Sequence, residues 1–217
     1  SSADQIVAGR KATVDAGLTP SMLLGRTHLE LGLDAATDDY KQLIDNAAAL
    51  GCQWILELGT GKQEQYEDYP KLMRAVADHA QSVGIGISLK PHGGISLTAQ
   101  ELIDLHDRVE HPAFRISYDP GNIIYYTKGE VRPEAEVQQI ASRTSTLIIK
   151  DCSLDGDQPD VMVTAGDGLV DFLFVIDKMR EGGFRGPMYV ECVGSTEPDD
   201  VGADLKRTHA YITGLIP

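Results

Sequence analysis

The chain has 217 residues, of which 42% are apolar and 24% are charged, a composition typical of a globular protein with one sizeable core. Its formal net charge of −14 at pH 7 argues against a nucleic-acid partner, because binding to a phosphate backbone depends on an excess of Lys and Arg. No apolar run approaches the roughly 18 residues that a membrane-spanning helix needs. We therefore predict a single domain over residues 1–217 that binds neither nucleic acid nor membrane.

The three cysteines, Cys52, Cys152 and Cys192, have neither the number nor the spacing of a disulfide framework or a zinc site. We interpret them as reduced thiols and predict a cytoplasmic location.

Helices and strands are predicted to alternate along almost the whole chain. Helical periodicity and helix-boundary residues indicate helices over residues 3–16, 38–50, 69–83, 98–109, 133–140, 170–180 and 199–212. Apolar runs between them indicate six strands, over residues 22–31, 54–58, 87–90, 116–119, 147–150 and 188–191. No hairpin signal is recognised, so the order predicts parallel βα units with right-handed crossovers.

Four of these strands end in polar residues where the apolar run stops. The segments are Ile87-Ser88-Leu89-Lys90-Pro91-His92, Ile116-Ser117-Tyr118-Asp119-Pro120-Gly121-Asn122, Leu147-Ile148-Ile149-Lys150-Asp151 and Met188-Tyr189-Val190-Glu191. In a parallel barrel the strands are buried on both faces, and the reactive side chains sit at their C-terminal tips. One such segment is equally typical of a buried strand followed by a polar loop. Four in succession predict one shared site.

Six strands fall short of the eight in a closed (β/α)₈ barrel. A doubly wound sheet is the alternative, but its first βα turn should carry a Gly-rich phosphate loop. The sequence has no such loop, and Gly166-Asp167-Gly168 is interpreted as a tight turn. The fold class predicted is therefore α/β, a TIM-type barrel that is partial or truncated at its N-terminus.

The order of the strand-end motifs resembles the xylose-isomerase-like TIM-barrel superfamily of sugar and sugar-phosphate isomerases and epimerases. The resemblance covers roughly residues 20–215 and is carried by five segments, Lys90-Pro91-His92-Gly93-Gly94, Tyr118-Asp119-Pro120-Gly121-Asn122, Ile149-Lys150-Asp151, Gly166-Asp167-Gly168-Leu169-Val170-Asp171-Phe172 and Gly186-Pro187-Met188-Tyr189-Val190-Glu191. It implies that the strand at Met22 is the third of the barrel and the strand at Glu191 the eighth. The first strand, first helix and second strand are then expected to be absent from the N-terminus.

The resemblance also implies a divalent metal, held by Glu, Asp, His and Glu at the ends of the fifth to eighth strands. This chain keeps Asp119 and Glu191 but has Lys90 and Ile148 at the other two positions. An ammonium repels a dication and an alkyl group donates nothing, so no cofactor is predicted. The alternative is a displaced Mn, Mg or Zn site on Asp119 and Glu191, with donors added from His92, His28 and Glu57.

A catalytic hypothesis follows from a lysine placed between two carboxylates. Lys90 replaces the charge of the metal, Glu191 is the base that removes a proton next to a carbonyl, and Lys90 stabilises the enediolate oxygen. Lys90 as a Schiff-base nucleophile is an alternative role. Asp119 completes the trio, and His92 is a candidate proton shuttle. A purely structural ion pair explains the trio comparably well.

Four further residues are predicted to bind substrate. Asn122 and Lys150 are candidate hydroxyl or carbonyl ligands, Glu57 closes a neighbouring strand, and Tyr125, followed by Tyr126, offers an aromatic wall for a sugar ring. Asp151 is interpreted as fixing a loop or pairing with Lys150.

The function predicted is a sugar or polyol isomerase or epimerase, or a related lyase, acting by proton abstraction next to a carbonyl. The alternative is a non-catalytic protein on a degraded enzyme scaffold that binds a carbohydrate or another partner. The partner expected is a small carbohydrate or polyol, and a homo-oligomer is left open.

Overall fold

The computed structural model describes residues 3–216, so Ser1, Ser2 and Pro217, which the single-domain prediction includes, lie outside the described residues. The strands are β1 Met22–Leu24, β2 Trp54–Glu57, β3 Gly86–Leu89, β4 Phe114–Tyr118, β5 Thr144–Ile149, β6 Ser153–Asp155, β7 Gln158–Asp160 and β8 Met188–Val190. The helices are α1 Ala3–Asp15, α2 Leu33–Leu50, α3 Asp68–Ser82, α4 Ala99–Val109, α5 Pro120–Thr127, α6 Pro133–Ile140, α7 Phe172–Glu181 and α8 Pro198–Gly214.

Six strands form one parallel sheet in the order β1-β2-β3-β4-β5-β8, curled into a partial TIM barrel with helices around it. This confirms the predicted fold class and the six predicted parallel strands. The strand over residues 22–31 is shorter than predicted, since β1 ends at Leu24 and residues Leu29–Leu31 form a 3₁₀ turn. Within residues 3–216, β1 and β8 are the edges of this sheet.

The core lies between the sheet and its helices. Successive side chains of a strand point to opposite faces, so in β3 and β4 one set packs on the helices and the other faces the barrel interior. Ile87, Leu89 and Ile116 belong to the apolar helix-facing set and are fully buried. The interior set continues through Ser88, whose hydroxyl contacts Ser145 at 2.8 Å, and reaches the rim of the barrel at Lys90.

Helix α4 illustrates how local sequence sets the element boundaries. The Thr98 hydroxyl accepts the backbone N–H of Glu101, and the Glu101 carboxylate accepts the N–H of Thr98, which is a complete capping box. The predicted helix start at residue 98 is therefore confirmed within one residue.

Two elements at the rim are missed by the sequence prediction. Helix α5 follows β4 directly, with Asp119 as N-cap and Pro120 in the first turn, both ordinary helix-start signals. The prediction of a chain without hairpins is also wrong, because β6 and β7 pair antiparallel across Gly156-Asp157. Gly156 has φ 62°, the left-handed conformation that such tight turns require. Asp155-Gly156 is therefore a turn signal in the sequence, which the prediction of alternating strands and helices overlooked.

The hairpin and the loop after it are fixed to the rim by Asp151. This fully buried carboxylate accepts four backbone N–H groups at 2.9–3.0 Å, from Cys152, Gly166, Gly168 and Val170. A Cβ at Gly168 would lie 2.2 Å from Asp151 Oδ1, so only glycine fits there. The prediction that Asp151 fixes a loop agrees with these contacts.

The Asp151→Asn variant is expected to lose about 2–4 kcal/mol of unfolding free energy, because the amide nitrogen faces backbone donors that the carboxylate accepted. Urea unfolding of purified protein measures this loss. The matched control is Asp157→Asn in the exposed hairpin turn, where the carboxylate accepts local hydrogen bonds, including one from the Gln158 side chain at 3.1 Å. Equal stability of the two variants would contradict the anchoring role.

Candidate active site

The charged side chains that follow β3, β4, β5 and β8 form one ion cluster. Lys90 Nζ lies 2.9 and 2.8 Å from the two carboxylate oxygens of Glu191 and 3.2 Å from Asp119 Oδ2. Lys150 Nζ lies 2.5 Å from Glu191 Oε1 and 3.4 Å from Asp119 Oδ2. Each lysine contacts both carboxylates, and the four formal charges add to zero. We call these four residues the lysine–carboxylate cluster.

Burial divides the cluster into three fixed groups and one accessible group. The side chains of Lys90, Lys150 and Asp119 are 3%, 5% and 0% exposed, whereas that of Glu191 is 38% exposed. Lys90, Lys150 and Asp119 are therefore buried, and Glu191 is the member of the cluster that solvent reaches most readily.

Asp119 connects the cluster to the helix that follows it. Its Oδ1 accepts the backbone N–H of Asn122 at 2.9 Å and so caps α5, while Oδ2 faces the lysines. Burial raises the pKa of Asp119, and the charges of Lys90 and Lys150 limit the rise. Oδ2 makes these ion pairs without a well-aligned hydrogen bond from any described residue.

The lysines set the charge state of Glu191, and the carboxylates set that of Lys150. Burial would raise the pKa of Glu191, but the charge of Lys90 and hydrogen bonds from both lysines outweigh burial and lower it. Burial would likewise lower the pKa of Lys150, but Asp119 and Glu191 outweigh it and raise that pKa. Glu191 is therefore an ionised carboxylate and Lys150 an ammonium at neutral pH.

Asn122 and His92 border the cluster in different ways. The Asn122 amide donates to the Pro91 carbonyl at 2.8 Å and accepts from Lys150 at 3.2 Å, so both of its polar atoms are engaged within the protein. His92 is half-buried, and burial together with the charges of Lys90 and Lys150 lowers its pKa. His92 is therefore a neutral imidazole at neutral pH, able to accept or donate one proton.

The aromatic residue that contacts His92 is Tyr126 rather than Tyr125. Its ring centroid lies 5.1 Å from that of His92, and Tyr125 packs edge-on behind it at the same distance. Tyr126 lies four residues after Asn122 on α5, hence on the same helix face. The spacing would have identified Tyr126 if α5 had been recognised.

Glu57 is not brought together with the other predicted site residues. Its register partner is Leu89, which places it on the helix-facing side of the sheet. Its carboxylate accepts the hydroxyls of Tyr40 at 2.7 Å and Tyr69 at 3.4 Å, from α2 and α3. Burial raises the pKa of Glu57 to about 7, against opposing hydrogen bonds from the two tyrosines.

The chain matches the xylose isomerase-like TIM barrel family over residues 2–211 and belongs to that family. A xylose isomerase domain protein from Planctomyces limnophilus is 23% identical, with a TM-score of 0.72, over 98% of this chain and 82% of that one. A xylose isomerase-like TIM barrel protein from Mycobacterium smegmatis, solved with magnesium, is 20% identical, with a TM-score of 0.82, over 100% and 80%.

A third similar structure is D-psicose 3-epimerase from Clostridium cellulolyticum H10, solved with D-tagatose. It is 14% identical, with a TM-score of 0.80, over 100% of this chain and 85% of that one. At these identities the similarity establishes the shared fold. No curated protein sequence matches the chain.

The residues of the cluster do not fit a divalent metal. Within residues 3–216, no group of three or more His, Cys, Asp and Glu side chains is arranged to hold a metal ion. The space between Asp119 and Glu191 is occupied by two ammonium groups, and Ile148 is a buried alkyl side chain two residues before Lys150. A dication there would face two positive charges and two carboxylates already engaged.

Glu57 is expected to make stability depend on pH. Because its pKa is raised from 4.5 to about 7, the folded state binds this proton more tightly than the unfolded state does. This contribution is fully present below the unfolded value and is lost as the pH rises through the folded value. Between those pH values, wild type should lose about 3 kcal/mol more stability than Glu57→Gln, which keeps an acceptor for Tyr40 but does not ionise.

The measurement is urea unfolding of both proteins at pH steps from 4.5 to 8, which spans the shift of Glu57. Every other titrating group is the same in the two proteins, so the difference between their stability curves reports Glu57 alone. Parallel stability curves for the two proteins would contradict the raised pKa.

Proposed function

We propose that the chain is an isomerase or epimerase that acts on a sugar or polyol carbonyl compound through an enediolate. The observation that supports it is the lysine–carboxylate cluster at the C-terminal rim of the partial barrel, where one accessible carboxylate lies against two buried ammonium groups. Proton abstraction next to a carbonyl needs a base and a group that stabilises the oxygen on which charge develops. The cluster supplies both.

Glu191 is the base in this proposal. Its carboxylate takes the proton from the carbon next to the carbonyl, the C–H electron pair forms the enediolate double bond, and the carbonyl electrons move to oxygen. Lys90 and Lys150 stabilise that oxygen as buried ammonium donors, and Asp119 forms ion pairs with both. Return of the proton to the neighbouring carbon gives isomerisation, and return to the opposite face of the same carbon gives epimerisation.

His92 and Asn122 have supporting roles. The neutral imidazole of His92 is the group we propose to carry a proton between the oxygens of the enediolate or to its second face. Asn122 acts as a positioning residue, since its amide ties Lys150 to the Pro91 carbonyl. The Tyr126 ring, in contact with His92, is the proposed wall for the sugar, with Tyr125 behind it.

The reaction is proposed to run without a divalent metal. Dialysis against EDTA should leave the melting temperature and any turnover unchanged, and added Mn²⁺ should not raise the melting temperature. The Lys90→Glu variant, with three carboxylates around one remaining ammonium, is the positive control and should gain stability with Mn²⁺. Stoichiometric Mn, Mg or Zn retained by dialysed wild type would overturn the proposal and assign Asp119 and Glu191 as metal ligands.

Glu191→Gln is expected to reduce turnover by about 10²–10⁴-fold, because the amide keeps the shape but does not accept a proton. The assay is deuterium incorporation from D₂O next to the carbonyl, followed by NMR across a panel of ketoses, aldoses and polyol ketones. Glu197→Gln, at an exposed position on the same rim, is the matched control and should exchange as wild type does. Equal exchange in both variants would remove Glu191 from the reaction.

The same panel separates the alternatives. A Schiff base on Lys90 would be trapped by borohydride with a ketose, whereas electrostatic stabilisation leaves no adduct. Wild type that binds a sugar but exchanges no deuterium with any compound favours the non-catalytic binding protein.

A further inference from the structure

The contacts between the two lysines and Glu191 describe a recognition site for a planar oxyanion. Lys90 donates to both oxygens of the carboxylate, and Lys150 donates to one of them. The group held there is the Glu191 carboxylate, a flat O–C–O unit in which Oε1 lies between the two ammonium groups. Two ammonium groups in this arrangement favour a negatively charged group with two adjacent oxygens.

Glu191 is the member of the cluster that can leave this position. Its side chain is 38% exposed, whereas the lysines are held from below by Asp119 and, for Lys150, also by the amide of Asn122. Moving Glu191 toward solvent requires no opening of the core. The residue after it, Cys192, has a left-handed φ of 66°, so the extended strand has already ended there.

Charge balance decides what takes its place. Without Glu191, two buried ammonium groups face the single carboxylate of Asp119, and an uncompensated buried charge is strongly unfavourable. A neutral polyol leaves this imbalance, whereas an anionic O–C–O group restores neutrality. The pair therefore favours carboxylates and enediolates over uncharged sugars.

We propose that Lys90 and Lys150 form an oxyanion subsite in which Glu191 is an internal occupant, displaced by the substrate's own planar anionic O–C–O or O–C–C–O group. This inference rests on the proposed function for the identity of that group as an enediolate. A substrate carboxylate presents the same chemistry. In the reaction, Glu191 loses its charge as it takes the proton, and the enediolate that forms in the same step takes over its contacts with the two lysines, so the cluster stays neutral.

The test is calorimetric titration with three four-carbon probes of matched hydroxyl pattern. Threonate carries a carboxylate, threonohydroxamate is a weak acid whose ionised form mimics an enediolate, and threitol is uncharged. Wild type should bind at least one of the two anionic probes about tenfold or more tightly than threitol, the scale of one desolvated charge pair. The tighter anion identifies the source: threonate indicates a substrate carboxylate, and threonohydroxamate indicates an enediolate.

Glu191→Gln supplies the second readout, because removal of the charged internal occupant makes the subsite available. The variant should bind the favoured anion about tenfold more tightly than wild type, as expected when an occluded state no longer reduces the competent fraction. Glu197→Gln should bind as wild type, and melting temperatures confirm that each variant is folded.

Threitol binding as tightly as both threonate and threonohydroxamate, or unchanged affinity of Glu191→Gln for the favoured probe, overturns the subsite. Failure of the proposed function gives a different result, since anion binding would persist while deuterium exchange is absent. Exchange without anion preference would remove the subsite and leave the proposed function intact.

Discussion

Neutralisation of two buried lysines is the constraint on which the rim of this barrel depends. Lys90 and Lys150 follow β3 and β5, the strands on either side of β4, and have almost no exposure. Burying an ammonium is costly unless it is paired and hydrogen-bonded. Asp119 contacts both from β4, and Glu191 contacts both from β8. The positions of four strand ends are therefore linked through one set of charges.

Asp119 extends this link to the surrounding loops. Its second oxygen caps α5, and that helix carries Asn122 against Lys150 and Tyr126 against His92. Asp151 has the same effect on the opposite side of Lys150, where four backbone N–H groups converge on its carboxylate. Asp119 and Asp151, which follow the neighbouring strands β4 and β5, thus fix two rim segments, one through a helix cap and one through a loop.

The sequence was sufficient for the fold because strand–helix alternation and strand-end polarity are both local patterns. Lys90, Asp119 and Glu191 were brought together by the rule that parallel strands end on one rim. Glu57 also lies at a strand end, but its side chain faces the helices rather than the barrel interior. A strand that is buried on both faces is apolar throughout, so its sequence does not show which face each residue takes. Lys150 was expected as a ligand, and its place in the cluster depends on sheet curvature, which no local pattern specifies. The sequence names Tyr125 ahead of Tyr126 for the aromatic wall, because α5 has only eight residues and little amphipathic pattern from which to tell the two apart.

Two ammonium groups carry the same total charge as one divalent cation, but they act differently. A metal exchanges its ligands and leaves when chelated, whereas each ammonium is covalently attached to the chain just after a strand. The positive charge of this site is therefore part of the fold, and the contacts of the two lysines with Asp119 form when the sheet forms.

The same attachment makes the cluster sensitive to substitution, because removing any one buried member leaves an unpaired charge among the others. Glu191 is the exception, since its partial exposure lets water or a ligand take over its role. A site in which three charges are structural and the fourth is replaceable is organised to bind one anion at one position, which is the requirement for stabilising a single developing oxyanion.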